Sequence, residues 1–138
     1  MSSSIHQSSA DAIIANLTQE FLVDAADRLG ELGILVSKAI AGELDMPSVL
    51  ADIRREVHTL KGTGSTFGFP SVTVIAHHLE NYLADLETLD IRLLDDVLRF
   101  FDRMQDITDS GENPDDEALA GIVRALPAKG AAGDAGSS

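Results

Sequence analysis

The spacing of apolar residues constrains the fold of this chain most, because it follows the helical period almost everywhere between the two ends. It predicts five helices: about 16–42, one from near Pro47, one from Pro70, about 91–109, and a shorter one after Pro114. No segment alternates polar and apolar residues over a useful length, so no sheet is expected. Short connections favour an all-α, antiparallel up-and-down four-helix bundle with an additional C-terminal fifth helix.

Each predicted helix has an apolar stripe that should face the core. The first two stripes are Leu17, Phe21, Ala25, Leu29, Leu32, Val36 and Ala39, then Leu50, Ile53, Val57, Leu60, Gly64 and Phe67. The other three are Val72, Ile75, Leu79, Leu83 and Leu86; Leu94, Val97, Leu98, Phe101, Met104 and Ile107; and Leu119, Ile122, Val123 and Leu126. Asn16 with Gln19 predicts a cap at the start of the first helix, and Gly42 predicts its end.

The two ends of the chain differ in composition from the middle. Residues 1–10 are rich in serine and are predicted to be a disordered segment. Residues 127–138 form an Ala/Gly/Ser tail, which predicts a flexible linker such as one that joins domains in a longer protein. Residues 11–126 are therefore predicted to form the helical bundle.

Charge and composition exclude several functions. A formal net charge of −13 disfavours nucleic acid and anionic membrane surfaces, both of which attract basic proteins. The chain has no cysteine, which excludes a disulfide framework and a thiolate nucleophile. No apolar run approaches the ~18 residues of a membrane span, and the N-terminus lacks the pattern of a signal peptide. A cytoplasmic location is predicted.

A polar stripe on the second helix lies apart from its apolar stripe. Arg54, His58, Lys61 and Ser65 are spaced by four, three and four positions, so they share one face. Three of the ten basic residues, Arg54, Arg55 and Lys61, lie within eight positions around the histidine. On an acidic chain, a positive patch around an exposed imidazole suits a site that receives an anion such as a phosphoryl group.

Glycines follow the histidine inside the predicted helix, where each costs up to about 1 kcal/mol relative to alanine. Gly62 lies one turn beyond His58 on the same face, which would open a path for a partner. Gly64 falls on the inward stripe and predicts close helix packing, and Gly68 predicts the helix end before Pro70. An ordinary solvated surface with capping glycines shows the same features, so they do not decide between such a surface and a site.

The run His58-Thr-Leu-Lys-Gly-Thr-Gly-Ser-Thr-Phe-Gly-Phe69 resembles the signature of histidine phosphotransfer domains. The segment Ala76-His-His-Leu-Glu-Asn81 is similar to the one that supports the phosphoacceptor in the N-terminal domain of chemotaxis histidine kinases (CheA type). Glu80 follows His58 by 22 positions, the separation expected in that subclass. The likeness covers about residues 15–126.

The resemblance implies a role for each site residue. His58 would accept the phosphoryl group on Nε2, and Lys61 would balance its charge. Glu80 would accept a hydrogen bond from Nδ1–H of His58, which leaves Nε2 free to attack. His77 would complete the polar cluster, because it lies three positions from Glu80, while His78 is expected to face solvent.

The surface around the phosphoacceptor is expected to bind partners. Gly62 would admit the partner, and Arg54, Arg55 and Ser65 would line the same face. The resemblance implies that a histidine kinase catalytic domain, in cis or in trans, supplies the phosphoryl group. A response regulator receiver (CheY-like) would then take it on an aspartate. No ATP-binding segment is evident, so ATP and Mg²⁺ would be held by those partners, and no cofactor is expected in this chain.

Three alternatives remain open from the sequence. The chain could be a free-standing phosphorelay protein rather than part of a histidine protein kinase, and whether it counts as an enzyme depends on that context. His58, His77 and Glu80 could form a small metal site, although Lys61 beside them would oppose a dication. A helical adaptor without phosphorylation is the third alternative.

Overall fold

The structure is a computed structural model that describes the backbone of residues 2–128 and the side chains of residues 9–128. Within these ranges it contains five α-helices and no strand: α1 (Ser2–Ile40), α2 (Met46–Gly64), α3 (Pro70–Leu83), α4 (Ile91–Ser110) and α5 (Asp116–Ala125). A single 3₁₀ turn, Ser65–Phe67, follows α2. The predicted all-α class is confirmed. None of the described helices combines the length and apolar character that crossing a bilayer requires.

The four longer helices surround one core. Each of α1 and α3 packs against both α2 and α4, which gives the closed ring of a four-helix bundle. All predicted core positions of α2 and α3 up to Leu83 are buried, while Phe67, Leu86 and Leu98 pack against the core partly exposed. The fifth helix has no buried residue. Its half-buried Leu119 and Ile122, and Leu126 directly after it, pack against the core.

Aspartates and glycines set the ends of the helices. The carboxylates of Asp45, Asp90 and Asp115 accept hydrogen bonds from backbone N–H groups in the first turns of α2, α4 and α5, at 3.1, 2.9 and 2.8 Å. Each places negative charge at the positive end of a helix. Gly42 (φ +79°) and Gly68 (φ +87°) adopt left-handed conformations after α1 and the 3₁₀ turn, so both predicted helix ends are confirmed.

The first helix begins earlier than predicted. It starts at Ser2 instead of about 16, so Asn16 and Gln19 lie inside it and do not form its cap. No proline or glycine precedes residue 30, and a helix anchored at one end extends by one hydrogen bond per added residue. Residues 2–10 therefore have a helical backbone where a disordered segment was expected. Of the predicted tail, residues 127–138, only the first two belong to the described residues, and the rest lies outside them.

The core face of α1 starts one turn later than the sequence suggests. Leu17 is 44% exposed, whereas Phe21 is 6% exposed and begins the buried series. Phe21 stacks against Phe67 and Phe69, with ring centroids 5.5 and 5.7 Å apart. The apolar residues before Phe21 stay exposed, since Ile13 and Ile14 are 59% and 61% exposed as well. The prediction of Leu17 as a core residue was wrong.

Two polar contacts, one between α3 and α4 and one between α1 and α2, supplement the apolar core. Tyr82 donates to Oδ2 of Asp96 at 2.6 Å. Burial raises the pKa of Tyr82, and the hydrogen bond to Asp96 adds to the rise, so the phenol stays a donor. Arg28 of α1 pairs with Glu56 of α2. Because hydrogen bonds are directional, such contacts help to fix how the helices rotate against each other.

Candidate functional site

His58 lies on the exposed side of α2, beside the face that enters the core. Its neighbours Val57 and Leu60 are at most 1% exposed, and their burial fixes the rotation of the helix. The side chain of His58 is 74% exposed, so a large partner can reach the imidazole. This is the orientation that the helical spacing predicts.

Glu80 lies opposite His58 on α3, and its two carboxylate oxygens have different partners. Nδ1 of His58 is 3.1 Å from Oε2, and Nζ of Lys61 is 2.6 Å from Oε1. The side chains of Lys61 and Glu80 are 31% and 25% exposed, which places their contact in the cleft between the two helices. We call these three residues the His58 cluster.

The carboxyl group of Glu80 has a lowered pKa although it is partly buried. Burial acts against the charged form and by itself raises the pKa. Hydrogen bonds from Lys61 and His58, with the attraction of their charges, outweigh burial and bring the pKa below its ordinary value. Glu80 is therefore ionised at neutral pH and acts there only as a hydrogen-bond acceptor.

An ionised Glu80 selects the tautomer of the neutral His58 ring. Because a carboxylate can only accept, the proton of the ring is needed on Nδ1, and Nε2 keeps its lone pair. No residue of the described part of the chain forms a hydrogen bond with Nε2. The site thus offers an exposed nitrogen nucleophile, with a carboxylate placed to stabilise positive charge on the ring.

The basic residues expected to form a positive patch are engaged by acceptors. Arg54 donates through Nη2 to the carbonyl oxygens of Leu83 and Leu86, at 2.6 and 2.7 Å. Arg55 lies 2.7 Å from a carboxylate oxygen of Asp52. Lys61 forms an ion pair with Glu80. The patch lies where the sequence placed it, but carboxylates face two of its cations, Arg55 and Lys61, and backbone carbonyl oxygens bind the third, Arg54.

The two glycines inside α2 have different surroundings. A Cβ atom on Gly62 would meet nothing within 4 Å, so this position leaves open space one turn beyond the histidine. A Cβ atom on Gly64 would lie 2.6 Å from Oγ1 of Thr73 and 2.9 Å from the carbonyl oxygen of Phe69. Close packing at Gly64 is confirmed, whereas the role of Gly62 in partner access stays a prediction.

His77 is not brought into the His58 cluster. Its Nε2 lies 3.4 Å from Nδ2 of Asn81, one turn further along α3, and the described residues include no hydrogen bond from His77 to His58 or Glu80. Three positions along a helix leave side chains about 60° apart in direction, and both oxygens of Glu80 already have partners. His78, expected to face solvent, is partly buried.

The metal alternative finds no support in this arrangement. Among the side chains that the structure describes, no group of three His, Asp or Glu residues is placed to hold a metal ion. His77 contacts Asn81, and one carboxylate oxygen of Glu80 forms an ion pair with Lys61. His58 and Glu80 are in contact, but His77 does not join them, so the three proposed ligands do not form one group.

Thr73 is a residue near the site that the sequence reasoning missed. Its hydroxyl donates to the carbonyl oxygen of Lys61 and accepts from the backbone N–H of Ser65, both at 2.8 Å. Ser65, expected on the partner-binding face, is exposed. A threonine seven positions before Glu80 lies on the same face of α3, and this spacing was the signal available in the sequence.

Of three comparisons with known proteins, one found a match. A family model described as "Hpt domain" matches residues 16–126. This range contains the whole His58 cluster, all of α2 to α5, and the part of α1 that packs in the bundle. Neither the comparison with curated proteins nor that with solved structures found a match.

Proposed function

This chain belongs to the Hpt domain family, whose model matches most of its length, and we propose that it carries a phosphoryl group on Nε2 of His58. Hpt domains act in phosphotransfer in two-component signalling, where they interact with kinases and response regulators. In this proposal Glu80 orients the ring, Lys61 balances the charge of the phosphoryl group, and Gly62 leaves room for the partner.

The observation that supports the proposal is the environment of the two ring nitrogens. Nδ1 of His58 faces the Glu80 carboxylate at 3.1 Å, while the ring as a whole is 74% exposed. Phosphoryl transfer depends mainly on positioning and charge stabilisation. An exposed nucleophile with a fixed tautomer and a cation nearby meets both needs, and the partners supply the rest.

The proposed chemistry needs no proton transfer at the histidine. The Nε2 lone pair of His58 attacks the γ-phosphorus of ATP, the Nε2–P bond forms, and the P–O bond to ADP breaks. The proton stays on Nδ1, and the positive charge that develops on the ring is stabilised by Glu80. In the second step, a receiver aspartate attacks phosphorus, the P–N bond breaks, and the neutral ring returns.

Lys61 would change partners during this cycle. In the structure its ammonium group lies against Glu80. A phosphoryl group on His58 adds negative charge on the same helix face, one turn away. We propose that the flexible lysine stem then lets Nζ move to a phosphoryl oxygen, because a lysine acts as a mobile point charge.

We further propose that the chain is the phosphotransfer domain of a CheA-type chemotaxis histidine kinase. The likeness of residues 76–81 to that subclass favours this assignment over a free-standing phosphorelay protein. The phosphoryl donor would be the ATP-binding domain of the kinase, in cis or in trans, and the acceptor a CheY-like receiver in the cytoplasm. ATP and Mg²⁺ would be bound by these partners.

Phosphorylation of the purified chain tests the proposal. Phosphoramidate, a small-molecule donor, should add one acid-labile phosphoryl group, observed as a mass increase, and a suitable kinase with labelled ATP should do the same. His58→Gln should abolish the increase while helicity remains, and His78→Gln, a matched control on α3, should retain it. A His58→Gln protein that still gains acid-labile phosphate would contradict the assignment.

A further inference from the structure

We infer that Thr73 and Arg54 are positioning residues: they hold α3 against α2 in the register that brings the Glu80 carboxylate to Nδ1 of His58. The inference rests on the proposed function, because it assigns their effect to the same reaction. The hydrogen bonds of Arg54 and Thr73 go to backbone groups and not to the ring of His58, so each would act through Glu80.

Thr73 links the two helices near the start of α3. Its hydroxyl donates to the carbonyl oxygen of Lys61 and accepts from the N–H of Ser65, both at 2.8 Å. One side chain of α3 thus bonds to two backbone groups at the C-terminal end of α2. Gly64 allows this approach, since a Cβ atom there would lie 2.6 Å from the same hydroxyl oxygen.

Arg54 links the helices at the other end of α3. Its Nη2 atom donates to the carbonyl oxygens of Leu83 and Leu86, at 2.6 and 2.7 Å. The last carbonyl groups of a helix have no partner within the helix, and a charged donor forms a stronger hydrogen bond with them than a neutral one. Arg54 therefore ties the C-terminal end of α3 to α2.

The two links lie on either side of the His58–Glu80 contact. Arg54 precedes His58 by four positions, which is about 6 Å along the helix, and Thr73 precedes Glu80 by seven, about 10 Å. A slide or rotation of α3 against α2 would have to break one of these links. The antiparallel register of the two helices is thereby fixed at both ends, with the reacting ring between them.

The apolar contacts beneath the site do not specify this register as sharply. Burial of residues such as Val57 and Leu79 is favourable but non-directional. Hydrogen bonds lose strength steeply when distance or angle changes. The hydrogen bonds of Thr73 and Arg54 end on backbone atoms in the last turn of the opposite helix or just beyond it, at Lys61, Ser65, Leu83 and Leu86, so they depend directly on the position of that helix.

Matched substitutions of threonine test the inference. In Thr73→Val the single methyl group of threonine remains and a second methyl group replaces the hydroxyl, so both hydrogen bonds of Oγ1 are lost, whereas Thr73→Ser retains the hydroxyl. Thr63→Val is the control, because the Thr63 hydroxyl bonds only within α2, to the carbonyl oxygen of Thr59 at 2.9 Å. Two readouts are used on each folded variant: the titration midpoint of the Glu80 carboxyl by ¹³C NMR, and the rate of His58 phosphorylation by phosphoramidate.

Thr73→Val should move the Glu80 midpoint up towards its ordinary value and slow phosphorylation about tenfold, since small misplacements of reacting groups have effects of this order or larger. Thr73→Ser and Thr63→Val should behave as the unmodified chain does. Arg54→Met should act in the same direction as Thr73→Val, with Arg103→Met on α4 as its control. The titration readout involves no partner protein, so an effect of Arg54 on docking cannot produce it.

The outcomes separate the inference from the proposed function. If Thr73→Val and Arg54→Met are destabilised but keep the Glu80 midpoint and the phosphorylation rate, the positioning role is wrong and the assignment of His58 stands. If Thr73→Val does not fold, the Glu80 midpoint and the phosphorylation rate of Arg54→Met alone decide whether the positioning role is correct. If the unmodified chain is not phosphorylated on His58, the proposed function itself fails.

Discussion

Nζ of Lys61 lies 2.6 Å from Oε1 of Glu80, across the cleft between α2 and α3. Lys61 is therefore connected with His58 through the carboxylate of Glu80, whose second oxygen faces Nδ1 of His58. In the unphosphorylated protein, the hydrogen bond and the charge of Lys61 lower the pKa of Glu80. The three residues act as one electrostatic unit, and a change at one should be measurable at another.

Removal of the lysine charge should raise the pKa of Glu80. In Lys61→Met the hydrogen bond and the attraction to Oε1 are lost, while burial, which raises the pKa, remains. Titration of the Glu80 carboxyl by ¹³C NMR should therefore show a higher midpoint than in the unmodified chain. Lys38→Met on the exposed side of α1 is the control, and an equal midpoint in all three proteins would contradict the coupling.

The contribution of Glu80 to stability should depend on pH with a definite sign. Because the pKa of Glu80 is lowered in the folded state, folding favours its ionised form. The resulting stabilisation is complete above the unfolded pKa, about 4.3, and is lost as pH falls through the folded pKa. Urea unfolding of the unmodified chain and of Glu80→Gln should give free energies of unfolding that differ at pH 7 and converge in acid. A difference that grows in acid would refute this reading.

The two glycines of α2 should respond oppositely to substitution. Gly62→Ala should leave the free energy of unfolding unchanged or raise it by up to about 1 kcal/mol, since the Cβ atom meets nothing and alanine favours the helix. Gly64→Ala should lower it by about 1–3 kcal/mol, because the Cβ atom would contact backbone atoms of Phe69 and Thr73. Chemical denaturation of both variants measures the contrast, and equal effects would contradict the packing described.

A large side chain at position 62 should affect docking more than folding. Gly62→Leu projects into open space near the histidine, so the free energy of unfolding should change little. Transfer from phosphorylated His58 to a receiver domain should slow, because the receiver must approach the ring over this surface. The rate of phosphorylation by phosphoramidate, a small donor, is the internal control and should be retained. Equal transfer rates for Gly62→Leu and the unmodified chain would remove the proposed role.

The start of the core on α1 can be tested with two neighbouring apolar residues. Phe21→Ala should lower the free energy of unfolding by about 3–5 kcal/mol, as a buried aromatic residue in a stack does. Leu17→Ala should change it by no more than about 0.5 kcal/mol, because Leu17 is exposed. Thermal and urea unfolding of the two variants provide the measurement. A large loss for Leu17→Ala would restore the core position that its spacing suggested.

The sequence predicted most of the fold because helical periodicity is a repeated signal. Every buried position of α2 from Leu50 to Gly64 follows from the spacing, and Gly42 and Gly68 end their segments as expected. The error on α1 has a physical origin. Periodicity shows which face of a helix is apolar, but not how much of that face the neighbouring helices cover, and Leu17 stays 44% exposed.

The site was predictable in its residues and less so in its contacts. The resemblance implied that Glu80 contacts His58, and the two side chains meet in the structure. The partners of long side chains depend on rotamers that sequence does not encode locally. For this reason Arg54 bonds to the end of α3 instead of standing free, and His77 contacts Asn81 instead of the cluster.

The phosphoryl group should form its bond with Nε2 of His58, because Glu80 holds the proton on Nδ1. NMR of the chain with ¹⁵N-labelled histidine, phosphorylated by phosphoramidate, tests this most directly through the coupling between phosphorus and the ring nitrogens. We predict coupling to Nε2 of His58 and a protonated Nδ1. Coupling to Nδ1 of His58, or to a nitrogen of His77 or His78, would contradict the account.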